Sequence, residues 1–171
     1  MERYQRPGVL RPALRFGVVT LTPVPQAFAR VRIGLPDGKG AWGAAAEMMA
    51  PKWFDKNLDL SNEDNFDQLR HITKMAHEAY LSDATAATAC GNCARHHDAH
   101  GQAAAAQGFN PLLASYGPAL LDRAVLDALC RSAGTSFYQA VQGNLAGIGT
   151  SCAEFDGLGI GAFLKSLRPA T

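Results

Sequence analysis

The stretch that decides the fold runs from Phe28 to Glu47 and reads FARVRIGLPDGKGAWGAAAE. Over residues 28–35 the chain alternates. Ala29, Val31, Ile33 and Leu35 fall on one face, and Phe28, Arg30 and Arg32 fall on the other. That is the period of a half-buried antiparallel strand. Pro36-Asp37-Gly38-Lys39-Gly40 then ends the strand, because proline stops it and the glycines accept positive φ, so the segment reads as a hairpin loop. The return strand is expected over residues 41–47.

Working outward toward the start, residues 15–21 (RFGVVTL) are β-branched and read as one further strand. It stops at Thr22-Pro23-Val24-Pro25, where two prolines forbid both a helix and a paired central strand. Residues 1–14 are left as an N-terminal extension. Toward the end, the pattern changes after Pro51 from period two to helical spacing, with Phe66, Leu69, Ile72 or Thr73, Ala76 and Tyr80 recurring every three to four residues. Ser61 and Asp64 form the expected capping box of that helix. An alanine-rich helix is expected over residues 84–107, with Gly91 and Gly101 inside it. A third begins near Pro118 at a first-turn position and stops at Gly134, and a short one covers residues 136–142. Beyond Gly143 the chain is glycine-rich and reads as a linker over residues 146–171. Strands come first and helices second, which predicts an α+β domain: a three-stranded antiparallel sheet followed by a helical bundle.

Composition narrows the function. The 171 residues are 47% hydrophobic, enough for the core of one domain. Sixteen basic and fifteen acidic residues leave a net charge of +1 with no basic stripe, so nucleic acid is not expected as a partner. The first sixteen residues carry Glu2, Arg3, Arg6, Arg11 and Arg15 without an apolar run. Neither a secretory signal nor a membrane anchor is expected there, and a cytoplasmic location follows. In that compartment the four cysteines are expected as thiols or metal ligands rather than disulfides.

Three stretches, FGVVTLTPVPQAFARVRIGLPDGKGAWGAAAE, APKWFDK and SYGPALLDRAVLDALCRSAGTSFYQAVQG, together resemble the amino-terminal capping domain of enolase-superfamily proteins of the mandelate racemase/muconate-lactonising type. The resemblance covers residues 16–145 and rests on Asp37, Gly38, Gly40, Trp42 and Gly43 in the hairpin, then on Asp122, Ala124, Asp127, Ala128 and Gly134. It implies a capping domain over residues 15–145 without the TIM barrel that follows it in that family. The chemistry it implies belongs to the barrel: magnesium-dependent proton abstraction next to a carboxylate, as in a racemase, cycloisomerase or dehydratase. A barrel needs about 250 residues, so no metal ligand or catalytic base can be assigned here, and the chain alone is not expected to be catalytic. Glu47 follows three alanines where family members often place a carboxylate directly, and no role is transferred to it.

The resemblance further implies two loops that close over the barrel mouth and help choose the substrate: Thr22, Pro23, Val24, Pro25 and Gln26 between the first two strands, and the segment holding Met49, Lys52, Trp53 and Phe54 after the third. Met49, Trp53 and Phe54 would form an apolar cap and Lys52 would meet an anionic group. Trp53 and Phe54 equally suit an anchor between sheet and first helix, and the prolines equally suit a stiffened turn. The implied partners are the barrel and, in intact relatives, a small carboxylate substrate. A capping domain without its barrel also predicts a homo-oligomer through the face left bare.

One other cluster invites chemistry: Cys90, Cys93, His96, His97, Asp98 and His100 within eleven residues. It supports the competing reading, a small zinc or redox protein using Cys90, Cys93 and His97. On a helix, Cys90 and His100 stand about 15 Å apart, too far for one tetrahedral ion, while Cys93 and His97 are one turn apart and need ligands from elsewhere. Gly157-Leu158-Gly159-Ile160-Gly161 departs from the phosphate-binding G-x-G-x-x-G and reads as linker.

Overall fold

The computed structural model describes residues 1–16, 19–149 and 158–168. The chain is α+β. A three-stranded antiparallel sheet is formed by β1 (Glu2–Arg6), β4 (Gln26–Gly34) and β5 (Gly40–Met48) in the order β1-β4-β5, and a separate two-stranded ribbon by β2 (Val9–Phe16) and β3 (Val19–Pro23). The helices follow: α1 (Asn62–Ser82), α2 (Ala89–Ala105), α3 (Pro111–Ala133), α4 (Phe137–Gln142) and α5 (Ile160–Ser166).

The alternation in β4 works as expected. Ala27, Ala29 and Val31 are buried, while Arg30 and Arg32 are exposed on the other face. The buried row meets Phe66, Leu69, Ile72 and Ala76 of α1 and Leu113, Leu120, Leu121 and Ala124 of α3 in one core. Small residues set how closely these layers approach. A Cβ on Gly43 would stand 2.1 Å from the Ala128 nitrogen and 2.3 Å from the Ala124 oxygen, and one on Gly117 would stand 2.6 Å from the Ile72 oxygen. The capping box of Ser61 and Asp64 opens α1, and Gly134, at φ 60°, ends α3 in the left-handed conformation that an L side chain adopts only at a cost.

Several sequence expectations are corrected. Residues 2–6, assigned to an extension before the domain, form the first strand of the sheet, with Tyr4 opposite Phe28 and Glu2 opposite Arg30. The segment ERYQR is polar throughout because this is an edge strand, and four of its five residues are exposed. Residues 15–21, read as one strand of the sheet, instead fall on both arms of the β2-β3 ribbon; Gly17 and Val18 within them lie outside the described residues.

The helix α3 starts not at Pro118 but at Pro111, behind an Asn110 cap whose side chain accepts from the Leu113 amide, so Pro118 lies inside it. An interior proline offers no N–H to the carbonyl four residues earlier. That carbonyl belongs to Ala114, and it is taken instead by the Nε2–H of His100 at 3.0 Å. Finally, the segment read as linker contains α5. Leu164 is buried there, and Gln142 Nε2 on α4 donates to the Leu167 carbonyl at 2.8 Å. Gly157, Cys152 and Pro169 lie outside the described residues.

Candidate functional site

The two segments expected as loops meet at one end of the sheet, but the first is mostly strand: Thr22 and Pro23 end β3, with Pro23 paired to Val9, Gln26 opens β4, and only Val24 and Pro25 lie between. Gln26 pairs with Met48 at the last rung of β4-β5, and the Met49 amide donates to the Pro25 carbonyl at 2.9 Å. The Val24 amide donates to the Gly8 carbonyl at 2.9 Å, which fastens the first loop to the base of the ribbon. Leu21, Val24 and Ala50 close a small second core there, with Leu10 and Met48 against it.

The nine named residues then divide by exposure. Thr22, Pro23 and Gln26 are exposed, Pro25 is half-buried, and Trp53 is 57% exposed. Val24 and Met49 are buried and hold the loops rather than cap anything. Phe54 is an anchor, but to α3 rather than to the first helix: its ring stands edge-on to Tyr116 with centroids 5.0 Å apart, and its carbonyl accepts from Asn110 Nδ2 at 3.0 Å.

Lys52 departs from its expected part. It is buried, at φ 62°, and its amide donates to Asn65 Oδ1 at 3.0 Å. Its ammonium donates to the carbonyls of Asn57, at 2.8 Å, and Leu60. The cation expected to meet an anionic group is thus engaged in closing the loop that precedes α1.

Sequence reasoning missed the ribbon itself. Apart from its base, β2 and β3 contact chiefly each other among the described residues, and Arg11, Leu14, Arg15 and Thr20 are exposed. A ribbon wet on both faces shows no alternation, so its sequence carries no strand period.

The cysteine-histidine cluster lies on α2, capped by Thr88, whose side chain accepts from the Gly91 amide. Its members are drawn into separate tasks. Asp122 on α3 accepts from the Tyr80 hydroxyl on α1 at 2.9 Å and from the Cys93 thiol on α2, tying the three long helices together. Burial raises the Asp122 carboxyl above its ordinary range, against the two donors that lower it. Burial, and then the neighbouring Asp122, raise the Tyr80 phenol.

His96 stacks on the Tyr80 ring at 4.8 Å, and its Nε2 lies 3.2 Å from Asp83 Oδ2, off the hydrogen-bonding direction. Asp83 is held below the usual carboxylate range by hydrogen bonds, first from Thr85 and then from Arg95. Burial lowers His100. Among the described residues no three His, Cys, Asp or Glu side chains gather as a group that would hold a metal.

Comparison of the chain with protein-family models, curated proteins and solved structures gives no match. What the fold and its loops define is therefore a class of architecture: an α+β domain with a helix-backed sheet and a ribbon projecting beside its end.

Proposed function

We propose that this chain is a capping domain of the mandelate racemase/muconate-lactonising type, a cover that closes over a barrel and selects its substrate. The observation that carries the reading is the cluster at the sheet end. Two separately encoded segments lie hydrogen-bonded side by side, with Trp53 exposed on one and a ribbon, anchored at its base, projecting beside the other. A projecting ribbon on a rigid sheet is suited to shielding a reacting site from water. Phe137, Leu158 and Phe163 are also exposed, on or beside α4 and α5, apolar side chains of the kind a second domain covers. Without that domain, the same side chains favour homo-oligomers.

On this reading the barrel supplies magnesium-dependent proton abstraction next to a small carboxylate, and this chain supplies exclusion of water and discrimination. The described residues contain no group of carboxylates fit to hold magnesium, so no step of that chemistry is assigned to them. No described helix is long and apolar enough to cross a membrane, and a cytoplasmic location goes with the proposal.

The test joins this chain to a mandelate-racemase-type barrel deprived of its own cap and follows exchange of the proton next to a carboxylate in D2O with magnesium present. Exchange that rises when the chain is joined, with a substrate ranking altered by Trp53→Ala or by shortening residues 10–22, supports the proposal. A barrel whose rate and ranking ignore the chain contradicts it.

A further inference from the structure

A second concavity lies away from the sheet end, between α2 and α3. It is a cleft of about 370 Å³ whose walls include Ala105, Phe109, Pro111, Ala114 and Ala119, with Cys93, His97 and Asp122 also lining it. Its size lies in the range of small-molecule sites, and its make-up, mostly apolar with a few convergent polar groups, matches theirs.

The charge balance inside it is uneven. Asp122 is a largely buried carboxyl whose two internal partners, the Tyr80 hydroxyl and the Cys93 thiol, are neutral donors. The arginines of α2 and α3 are committed elsewhere: Arg95 to Asp83 at 2.8 Å, Arg123 to Glu47 at 2.7 Å and Arg131 to Asp127 at 2.8 Å. The positive influence that reaches Asp122 comes from the imidazoles of His96 and His97, not from an arginine or a lysine. Among the described residues, then, no arginine or lysine pairs with Asp122. A carboxylate offers about four acceptor directions, so two internal donors leave room for more.

We propose that the cleft between α2 and α3 binds a small organic cation, an ammonium or amidinium group on an apolar body, with Asp122 receiving the charged head. The head's N–H groups form charge-assisted hydrogen bonds to the carboxylate and add the attraction of opposite charges, which the neutral Tyr80 and Cys93 donors lack. The body lies against Phe109, Pro111 and Ala119 and displaces water from apolar surface. An anion of the same shape is repelled, and a neutral isostere lacks the charge that Asp122 selects. The site is independent of the capping role, since it uses neither the ribbon nor the loops at the sheet end.

The experiment is a titration of the ¹⁵N-labelled full chain with benzylamine, benzyl alcohol and benzoate, following backbone amides at pH 7.5. For a ligand of about eight heavy atoms, millimolar affinity is the reachable range. The proposal expects benzylammonium to shift the amides of Cys93, His97, Ala119 and Asp122 saturably, and benzyl alcohol and benzoate to bind about tenfold more weakly or not at all. Asp122→Asn keeps an acceptor for Tyr80 and is expected to weaken benzylammonium by about tenfold. Ala119→Phe fills the cleft without touching the carboxylate and is expected to abolish binding, so the proposal stays testable should the Asn variant fold poorly. Equal binding of alcohol and amine, benzylammonium binding undiminished in either folded variant, or no saturable shift at millimolar benzylamine overturns it.

Discussion

The pairing of His100 with the helix that Pro118 interrupts makes a quantitative prediction. Pro118 deprives the Ala114 carbonyl of its intrahelical donor, and His100, fourteen residues upstream on another helix, supplies a replacement at 3.0 Å. Both His100 and Ala114 are buried, so a lost donor is poorly replaced. His100→Leu keeps most of the side-chain volume and removes the hydrogen bond. Leaving a buried carbonyl unpaired costs about 1–3 kcal/mol.

In a Pro118→Ala background, residue 118 regains an N–H that reaches Ala114, and the same His100→Leu change is expected to cost under about 0.5 kcal/mol of hydrogen-bond energy. The four proteins of the cycle, unfolded in urea and followed by far-ultraviolet circular dichroism, therefore give a coupling of at least about 0.5 kcal/mol. The double variant is more stable than the two single effects predict.

pH adds an independent reading. Burial sets His100 below its unfolded value of about 6.5, so the unfolded chain binds more protons between the two values. Its contribution is complete above about pH 6.5 and is lost as pH falls through the folded value, and His100→Leu flattens that part of the pH profile. His77 is lowered by burial in the same direction, so some slope remains. An equal cost of His100→Leu in both backgrounds refutes the reasoning.

Four further outcomes follow from the packing and the electrostatics. Gly43→Ala presses a Cβ onto α3 backbone atoms at 2.1 and 2.3 Å and is expected to cost about 3 kcal/mol or more. Gly101→Ala, in a helix with nothing within 4 Å of the new atom, is expected to gain up to about 1 kcal/mol, and urea midpoints distinguish the two. Lys52→Met strips a cation from the Asn57 and Leu60 carbonyls and is expected to cost about 1–3 kcal/mol, with faster proteolytic cleavage across residues 52–60. Asp64, Asp83 and Asp127 are held below their ordinary carboxylate values, so their stabilisation is present above about pH 4 and lost as pH falls further. Asp83→Asn is expected to lower the urea midpoint more at pH 7 than at pH 2.

The legible part of the fold was its half-buried part. The β4-β5 hairpin announced itself through alternation, and α1 through the Ser61-Asp64 box, because in each case local sequence and burial agree. The edge strand β1 and the ribbon carried no period, since an element wet on both sides has no buried face for its sequence to mark. Pro118 misplaced the start of α3 because a proline marks a first turn and a tolerated interior break alike. What tolerates it is His100, a tertiary partner that no local pattern reveals.

The candidate site divides in the same way. The adjacency of residues 22–26 and 49–54 was implied, but the inward course of Lys52, set by its positive φ and three hydrogen bonds, was not. The meeting of Tyr80, Cys93 and Asp122 joins residues up to 42 apart in sequence and has no spacing to read.

The capping role is tested most directly by isolating the polypeptide from its natural source and asking by mass and peptide sequence what accompanies these 171 residues. The account predicts a (β/α)₈ barrel, in the same chain or firmly bound, with a base and acidic residues at its strand ends. An 18.2 kDa protein working with no barrel attached or bound contradicts it.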